Sequence, residues 1–312
     1  MKLLVTGDWH LDAQRPENRT DDYFQSQYEK VKWIYNLARD EQCCGILQPG
    51  DLFNSHRAND LIKQLYIGYF RSRTMPEDDI ILPPYLYTIF GQHDLRFHSS
   101  NKDNTPLRVL EAAGVCTTLD SDPIGIHDAM ETIYLYGMNW GEEIPEISSD
   151  PAVHILLLHK LILEDTEGWE KNYISVDNVF RFCKHQIIVC GDNHQSFMRE
   201  KNGRMLFNCG SLMRNRIDQK DHKPVVYVVD TYEQSYKAHY IPIKPFDEVM
   251  DVKKAEQRKE RNEELEAFVS KLSGDVNIEG LDFVKNIEAY MEDNPVPGSV
   301  KDFVEEMLSC ET

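Results

Sequence analysis

The sequence predicts an α/β fold, in which a β-sheet is covered by helices. Short β-rich runs alternate with helical patterns over the first two-thirds of the 312-residue chain. The later strands follow one another closely, which predicts that part of the sheet is mixed or antiparallel. Hydrophobic residues make up 41% of the chain and charged residues 28%, so it can bury a sizeable core and still keep a polar surface.

Each element is justified by a local pattern. The apolar run from Lys2 to Thr6 predicts a buried strand, and the helical spacing of apolar residues from Tyr23 to Ala38 predicts an amphipathic helix. A strand from Cys44 to Gln48 and a helix from about Asn59 to Arg71 follow. Further strands are predicted at Tyr85 to Phe90, Ile133 to Tyr136, Val153 to Leu158, Gln186 to Val189, Arg204 to Asn208 and Val225 to Val229.

The character of the sequence changes after Pro245. Residues 246–312 contain 18 acidic and 8 basic side chains, a net charge of −10 out of a total of −19. Apolar residues at helical spacing recur from Leu265 to Leu272 and from Val300 to Met307. We predict a domain of residues 1–245 and an acidic helical region, 246–312, for packing, capping or docking to a partner chain. Packing is favoured for the first helical segment, and the second leaves packing and docking open.

Composition also bounds the location of the protein. The seven cysteines form no CxxC pair, which favours reduced thiols in a cytosolic protein over a disulfide framework. No apolar run approaches the roughly 20 residues of a membrane helix. Asp8 and His10 interrupt the apolar start, so no secretory signal is predicted. We expect a cytoplasmic protein that does not enter the membrane.

The net charge of −19 has the sign opposite to that of a typical nucleic-acid binder, because phosphate contacts come from Lys and Arg. Taken alone, this composition argues against a DNA or RNA partner. More than half of the charge, however, belongs to residues 246–312, outside the predicted main domain.

Acidic and histidine side chains follow five of the predicted strands, at the point where each strand ends. They are Asp8 with His10, Asp51, the run Gln92-His93-Asp94, His159, and Asp192 with His194. Each one alone has an ordinary structural explanation, as a turn residue or a hydrogen-bonded histidine. Because sites in open α/β sheets form beyond the carboxyl ends of the strands, we expect all five groups to converge.

The residue types indicate a metal site. Carboxylate oxygens and neutral imidazoles suit Mn, Fe, Zn or Co, and no clustered set of thiolates points to structural zinc. Two cations about 3.5–4 Å apart can activate a hydroxide for in-line attack on phosphorus, and such a pair needs a bridging carboxylate. Asp51, which follows Gly50 at a strand end, fits that bridging position.

The five blocks resemble the signature of the calcineurin-like metallophosphoesterases, DxH, GD, GNHD, H and GHxH, over residues 1–245. The run from Gly50 to Arg57, GDLFNSHR, and the run from Asn208 to Ser211, NCGS, further resemble the SbcD-type nuclease subunits of double-strand-break repair and recombination. In its compact size the chain resembles phage-encoded versions of this nuclease subunit. The resemblance implies a four-layer α-β-β-α sandwich with a helical C-terminal tail.

The resemblance also implies two divalent cations held by side chains of this chain. One site would use Asp8, His10, Asp51 and His194, and the other Asp51, Gln92, His159 and Asp192. His93 corresponds to the catalytic histidine that stabilises the transition state or protonates the leaving oxygen, and Asp94 would orient it. A histidine suits this role because its ordinary pKa lies near neutrality.

Three positions depart from the pattern of the family. Gln92 stands where Asn is usual, and Asp192 replaces the first His of GHxH. Gln92 adds one methylene to the reach of the ligand, and Asp192 exchanges an imidazole for a charged oxygen. The change makes the second site harder and more anionic, which favours Mn²⁺, with Mg²⁺ as the alternative, over Zn²⁺. Asn54 stands where the nucleases commonly carry His, which puts exonuclease efficiency in question; His56 or His98 would be the substitute.

The leading hypothesis is a metal-dependent DNA exonuclease or endonuclease, in which metal-activated hydroxide attacks phosphorus with help from His93. One alternative is a phosphoesterase of the same fold that acts on a small nucleotide, a cyclic diester or a phosphoprotein, as the acidic surface favours. Another is a catalytically weakened scaffold subunit, as the altered second site favours.

Four arginines lie next to the metal motifs and are candidates for contact with substrate phosphate: Arg57, Arg96, Arg214 and Arg216. Each alone reads as an ordinary surface charge. The resemblance to SbcD-type nucleases implies DNA as substrate, a homodimer, and an SbcC-like coiled-coil ATPase as partner.

Overall fold

A computed structural model describes residues 1–74, 84–164 and 173–254, together with the single residues 257, 261 and 298. The chain divides into two units, Met1–Val249 and Met250–Thr312. Everything described below belongs to the first unit. The helices predicted after residue 260 lie outside the described residues, and the boundary at residue 245 stays a prediction.

The described residues contain five α-helices and fourteen strands, besides two short 3₁₀ helices at Arg96–His98 and Ile217–Gln219. The helices are α1 Tyr23–Asp40, α2 Asp60–Thr74, α3 Pro106–Ala112, α4 Val176–Phe182 and α5 Phe246–Val249. The strands are β1 Lys2–Val5, β2 Gly45–Gln48, β3 Tyr85–Thr88, β4 Cys116–Thr118, β5 Ile124–His127, β6 Thr132–Met138, β7 Val153–His159, β8 Ile162–Leu163, β9 Ile174–Ser175, β10 Ile187–Gly191, β11 Phe197–Lys201, β12 Arg204–Asn208, β13 Val225–Asp230 and β14 Ser235–Tyr240.

Local sequence explains where three of the helices begin. The side chain of Asp22 accepts the backbone amide of Gln25 at the start of α1. Thr105 and Ser175 cap α3 and α4 in the same way. Each of these short polar side chains satisfies one of the amides that the first turn of a helix leaves without a partner.

The strands form two six-stranded sheets and one small two-stranded sheet. The first large sheet has the order β14-β13-β1-β2-β3-β4, and the second has the order β11-β12-β10-β7-β6-β5. The central strands of each sheet are parallel, whereas β13, β14, β5 and β11 pair antiparallel. The structure therefore confirms the predicted mixed sheet, and every strand predicted from the sequence is present to within two residues of its predicted bounds.

Alternate residues of the strands build separate layers of the core. Leu3 and Val5 of β1 pack between the two large sheets, together with Leu157 and Val189 of the second sheet. Leu4, between them in sequence, points to the opposite face and packs against α1, α2 and α3. A third cluster joins the outer face of the second sheet to α4. The layers are thus helices, sheet, sheet and helix, which confirms the four-layer sandwich.

Two expectations from composition can be compared with the structure. In the part of the chain that is described, no helix has the length and apolar character needed to cross a membrane. The six cysteines in that part are free thiols, five of them buried.

Candidate metal centre

The predicted site residues lie in the loops that follow the central parallel strands of both sheets. Asp8 and His10 follow β1, Asp51 follows β2, Gln92 to Asp94 follow β3, His159 ends β7, and Asp192 and His194 follow β10. Because these strands are parallel within each sheet, their carboxyl ends share an edge. The first three groups come from one sheet and the last two from the other, so the cluster spans both.

The structure brings the residues of the first predicted cation site into one group. His10 Nε2 lies 3.0 Å from His194 Nε2, and His194 Nε2 lies 3.8 Å from Asp8 Oδ2. His10 Nε2 is also 3.8 Å from Asp51 Oδ2. One donor atom from each of Asp8, His10 and His194 fits within a sphere suited to a single ion.

The residues of the second predicted site lie as two pairs of side chains. His159 Nε2 lies 3.3 Å from Asp51 Oδ2, and Gln92 Nε2 donates to Asp192 Oδ1 at 3.2 Å. The Asp192 amide in turn donates to Asp8 Oδ2 at 2.8 Å, which ties this pair to the first site. Donating through Nε2 leaves the Gln92 oxygen and the second Asp192 oxygen available for a cation.

His93 lies at the solvent side of the cluster. Its backbone amide donates to Asp51 Oδ1 at 2.8 Å, and its Nε2 lies 4.0 Å from Asp51 Oδ2. The other ring nitrogen, Nδ1, is 3.0 Å from the carbonyl oxygen of Asn54. His10, Asp51 and His93 form a second group compact enough to hold an ion. The position of His93 therefore suits either a ligand or a proton donor.

Asp94 is fully buried and holds together the loops on which Asp51 and His93 lie. Its carboxylate accepts the backbone amides of Leu52, Phe53 and Gly91 at 3.0–3.3 Å. The family resemblance predicts that Asp94 orients His93. In the structure the carbonyl of Asn54 contacts the His93 ring, and the three bonds of Asp94 are to backbone.

Three of the predicted ligands have backbone conformations that residues other than glycine rarely adopt. His10, Asp51 and Asp192 have φ angles of 44°, 49° and 79°. A residue other than glycine in the left-handed region costs about 1–3 kcal/mol, and such residues cluster at functional sites. Here the turns aim the side chains of three different loops into one space.

Two glycines leave room for the carboxylates. A Cβ atom on Gly91 would overlap Asp51 Oδ1, and one on Gly191 would overlap Asp8 Oδ1 while lying 2.8 Å from His159 Nδ1. Only glycine permits the backbone to approach the ligand atoms this closely. Gly91 and Gly191 are therefore part of the site.

Burial and mutual charge shift the pKa values of the cluster in opposite directions. Burial raises the pKa of Asp8 well above its ordinary value, with a contribution from Asp51 and against the effect of His159. Burial alone would also raise the pKa of Asp51, but the His159, His10 and His93 rings hold it well below the ordinary value.

The histidines show the same competition. Burial lowers the pKa of His10 to about 3. For His159, burial is opposed by the charge of Asp51 and then of Asp8 and Asp192, which raise its pKa to about 10. A buried cluster in which acids and imidazoles compete for the same charge is a frequent property of functional sites.

The donor set fits divalent cations. Asp8 Oδ1 is buried and has no hydrogen-bond partner, which is costly unless a cation binds there. His159 Nδ1 donates to the carbonyl of Pro49 at 2.8 Å, which leaves Nε2 as the nitrogen that faces the cluster. The carboxylate oxygens, imidazoles and one amide match the ligands of Mn²⁺, Zn²⁺ or Mg²⁺.

The four predicted phosphate contacts divide into two kinds. Arg57, Arg96 and Arg216 are exposed, and Arg96 lies over the Phe97 ring at 5.3 Å. Arg214, in contrast, is only 5% exposed, and its guanidinium donates to the backbone carbonyls of Lys220 and Lys244. Arg214 thus belongs to a second charged cluster, described below.

Sequence reasoning missed two contributors to the centre, the carbonyl oxygens of Pro49 and Asn54. Both are backbone atoms, which any residue type supplies, so the residue types give no signal for them. Their positions follow from the left-handed turns at His10 and Asp51, which bring these loops together.

The fold is that of a metallophosphoesterase, and the candidate ligand groups suit divalent cations. The chain belongs to the calcineurin-like phosphoesterase family, whose family model matches residues 1–196. Members of this family typically bind divalent metals, in agreement with the candidate ligand groups. No curated protein sequence matches the chain at a significant level.

Several solved structures resemble the chain at low sequence identity. An archaeal phosphodiesterase is 10% identical, with 77% of this chain and 99% of that chain covered and a TM-score of 0.41. Vps29 from Entamoeba histolytica, in complex with Zn²⁺, is 13% identical, with 77% and 98% covered and a TM-score of 0.31. A predicted phosphoesterase from Streptococcus pneumoniae is 10% identical, with 77% and 97% covered and a TM-score of 0.32.

Proposed function

We propose that the protein is a dinuclear-metal phosphodiesterase that cleaves DNA, as a nuclease subunit in recombination or double-strand-break repair. The observation that carries the proposal is the position of Asp51. Its Oδ2 atom lies 3.8 Å from His10 of the first site, 3.3 Å from His159 of the second and 4.0 Å from His93. These distances support a role in which Asp51 would be shared by the two ions, with His93 nearby as a proton donor.

The residues that would hold the ions are those described above, with Asp51 shared between two sets. When bound, two divalent cations would supply charge stabilisation and a nucleophile at neutral pH. We propose Mn²⁺ at these positions, with Mg²⁺ as the alternative, because Asp192 supplies a charged oxygen donor where the family carries His.

The neighbour of His93 determines which of its ring nitrogens carries the hydrogen. The Asn54 carbonyl can only accept, so Nδ1 of His93 carries a hydrogen and donates to it. The second nitrogen, Nε2, then either accepts a proton or, when protonated, donates one toward a leaving oxygen. The His93 side chain is 39% exposed, so a substrate can reach this atom.

Two features favour DNA over a small phosphoester. The runs GDLFNSHR and NCGS around Asp51 and Ser211 are similar to those of SbcD-type nucleases. Arg57, Arg96 and Arg216 are exposed in loops that follow β2, β3 and β12, where they can contact phosphates without reading base sequence.

The partners are proposed on the resemblance alone. SbcD-type nucleases act as dimers with a coiled-coil ATPase, and a net charge of −19 predicts weak DNA binding by this chain alone. We expect the ATPase to bind the helix predicted from Val300 to Met307, which lies outside the described residues. Deletion of residues 296–312 should abolish capture of the ATPase, and unchanged capture would contradict the docking proposal.

One set of assays tests the substrate class. Purified protein is incubated with single-stranded DNA, double-stranded DNA or bis(p-nitrophenyl) phosphate, in Mn²⁺, Mg²⁺, Zn²⁺ or chelator. We expect DNA cleavage in Mn²⁺ that is lost in chelator and in His93→Ala. Activity confined to the small diester would reject the nuclease and favour a small-substrate phosphoesterase. Inactivity with every metal and substrate would favour a scaffold subunit.

A further inference from the structure

A second charged cluster lines a pocket of about 220 Å³ between α1, the loop after β12 and the segment after β14. Four cationic side chains face two acidic ones there: Arg19, Lys30, Arg214 and Lys244 against Asp21 and Glu29. The apolar part of the wall includes Trp33 and Ile241. The pocket contains none of the candidate metal ligands.

Arg19 is neutralised within the pocket. It makes a two-pronged ion pair with Asp21, with Nε to Oδ1 at 2.8 Å and Nη2 to Oδ2 at 2.7 Å. Its remaining nitrogen, Nη1, donates to the backbone carbonyl of Arg214 at 2.8 Å. Asp21 is therefore committed to Arg19, and the other cations need a different counter-charge.

Lys30 is a half-buried ammonium group without a carboxylate partner. Its Nζ donates to the backbone carbonyl of Leu212 at 2.7 Å, and no acidic oxygen in the described ranges lies within 4.0 Å of it. Burial lowers the pKa of Lys30 to about 7, with smaller contributions in the same direction from Arg19 and Arg214 and an opposing one from Asp21. Two of its three hydrogens remain available to a ligand.

Arg214 also lacks a carboxylate partner among the described residues. Its guanidinium donates to the carbonyls of Lys220 and Lys244 and lies 5.4 Å from the centre of the Phe246 ring. Within the described residues it forms no ion pair with a carboxylate. The four cations of the pocket outnumber its two acids, and an anion bound between Lys30 and Arg214 would offset that excess positive charge.

We propose that this pocket binds a small phosphate-bearing anion, with Lys30 and Arg214 supplying the opposing charge. Guanidinium and ammonium groups are the side chains that most often bind phosphate, through charge-assisted hydrogen bonds. The volume lies below the roughly 300–1,000 Å³ of pockets for drug-sized ligands, which favours inorganic phosphate or the phosphate of a nucleotide.

The pocket is connected to the candidate metal centre through backbone. Lys30 donates to the Leu212 carbonyl, and the Leu212 amide donates to the carbonyl of Asp8 at 2.8 Å. Lys30 therefore lies two hydrogen bonds from the backbone of Asp8, a predicted metal ligand. Binding to the pocket does not depend on the proposed nuclease function.

The test is calorimetric titration of the full chain, stripped of metal by chelator and dialysed free of it. Sulfate, inorganic phosphate and dAMP serve as probes on wild type, Lys30→Met, Arg214→Gln and the control Lys63→Met. Lys63 pairs with Asp60 on α2 and does not line the pocket. We expect at least tenfold weaker binding in the two pocket variants and unchanged binding in the control.

Comparison of the probes identifies the source of the phosphate group. Tighter binding of dAMP than of phosphate supports a nucleotide ligand, and equal binding supports the phosphate group alone. No binding of any probe at millimolar concentration would overturn the proposal. So would equal affinity in wild type and in both pocket variants.

A second measurement keeps the test valid if a variant fails to fold. Sulfate does not titrate between pH 6 and pH 8, so its binding to wild type reports the charge of the protein. Lys30 faces Arg19, Asp21 and Glu29 beside α1, Arg214 and His222 after β12, and Lys244 after β14. We expect about tenfold weaker sulfate binding at pH 8 than at pH 6, as Lys30 loses its proton. Binding that is independent of pH in both wild type and His222→Asn would overturn the role of Lys30.

Discussion

His159 Nε2 lies 3.3 Å from Oδ2 of Asp51, and both side chains are almost completely shielded from solvent. Asp51 follows a strand of the first sheet, and His159 ends a strand of the second. The contact therefore joins the two sheets across the centre of the sandwich. The site forms only when the two sheets pack in one relative position, so it depends on the packing of both sheets.

Substitution of His93 tests whether it donates a proton or binds a metal. As a proton donor, His93→Gln should lower kcat by about 10²–10⁴-fold and leave metal affinity within twofold of wild type. The measurement pairs steady-state cleavage of a phosphodiester with calorimetric titration of Mn²⁺. A loss of Mn²⁺ affinity equal to the loss of activity would instead make His93 a ligand, as its group with His10 and Asp51 allows.

Substitution of Asp192 tests the predicted metal preference. Asp192→His restores the imidazole usual in the family at this position, so we expect the ratio of Zn²⁺ to Mn²⁺ affinity to rise by at least tenfold. Competitive titration of the metal-free protein measures that ratio. Asp177→His, on an exposed acid of α4, is the control. Preference of the wild-type protein for Zn²⁺ at both sites would contradict the prediction that the second site favours Mn²⁺.

Substitution of Asp94 tests its role in holding the loops together. Asp94→Ala leaves three buried backbone amides without their acceptor, which should lower the free energy of unfolding by about 3 kcal/mol. Asp94→Asn keeps one acceptor oxygen, so its loss should be smaller. Urea unfolding of the metal-free protein measures both, with Asp103→Ala on an exposed loop as control. Equal stability of Asp94→Ala and wild type would refute the assigned role.

The burial of His185 predicts that the protein loses stability in mild acid. It is fully buried, neither ring nitrogen has a hydrogen-bond partner, and burial lowers its pKa to about 4. Below pH 6.5 His185 binds a proton in the unfolded chain but not in the folded chain. The free energy of unfolding therefore falls as pH decreases toward 4. Between pH 7.5 and pH 5 this group should remove roughly 2 kcal/mol of stability.

The measurement for His185 is urea unfolding of the metal-free protein at the two pH values. His185→Phe lacks the titrating group, so its stability should fall by about 2 kcal/mol less than that of wild type over the same interval. A ring of similar shape keeps the contact with Tyr136, whose ring centre lies 4.9 Å away. The same pH dependence in both proteins would contradict the assignment.

The candidate site was predictable from sequence because its ligands follow buried strands. Apolar runs before Asp8, Asp51 and His159 predict both the strand and the point at which it ends, and parallel strands place those points at one edge. The left-handed turns at His10 and Asp51 were not predictable, because tertiary contacts hold side chains in conformations that their residue types disfavour.

The strands that sequence missed are short or polar. Five of the six residues of β14 are exposed, so the apolar alternation that identifies a half-buried strand is absent. Arg214 shows the converse difficulty. An arginine in a loop is expected at the surface, but it is buried here because the carbonyls of Lys220 and Lys244 and the Phe246 ring, distant in sequence, surround it.

The most direct test of the central claim is turnover of bis(p-nitrophenyl) phosphate by wild type and Asp51→Asn. Both proteins are stripped of metal, reconstituted with Mn²⁺ and checked for folding by circular dichroism. We expect wild type to turn over the diester only after reconstitution, and Asp51→Asn to lose at least 10³-fold in kcat/KM, because the shared carboxylate is gone. Turnover that survives chelation, or equal turnover in Asp51→Asn and wild type, would contradict a metal-dependent phosphoesterase centred on Asp51.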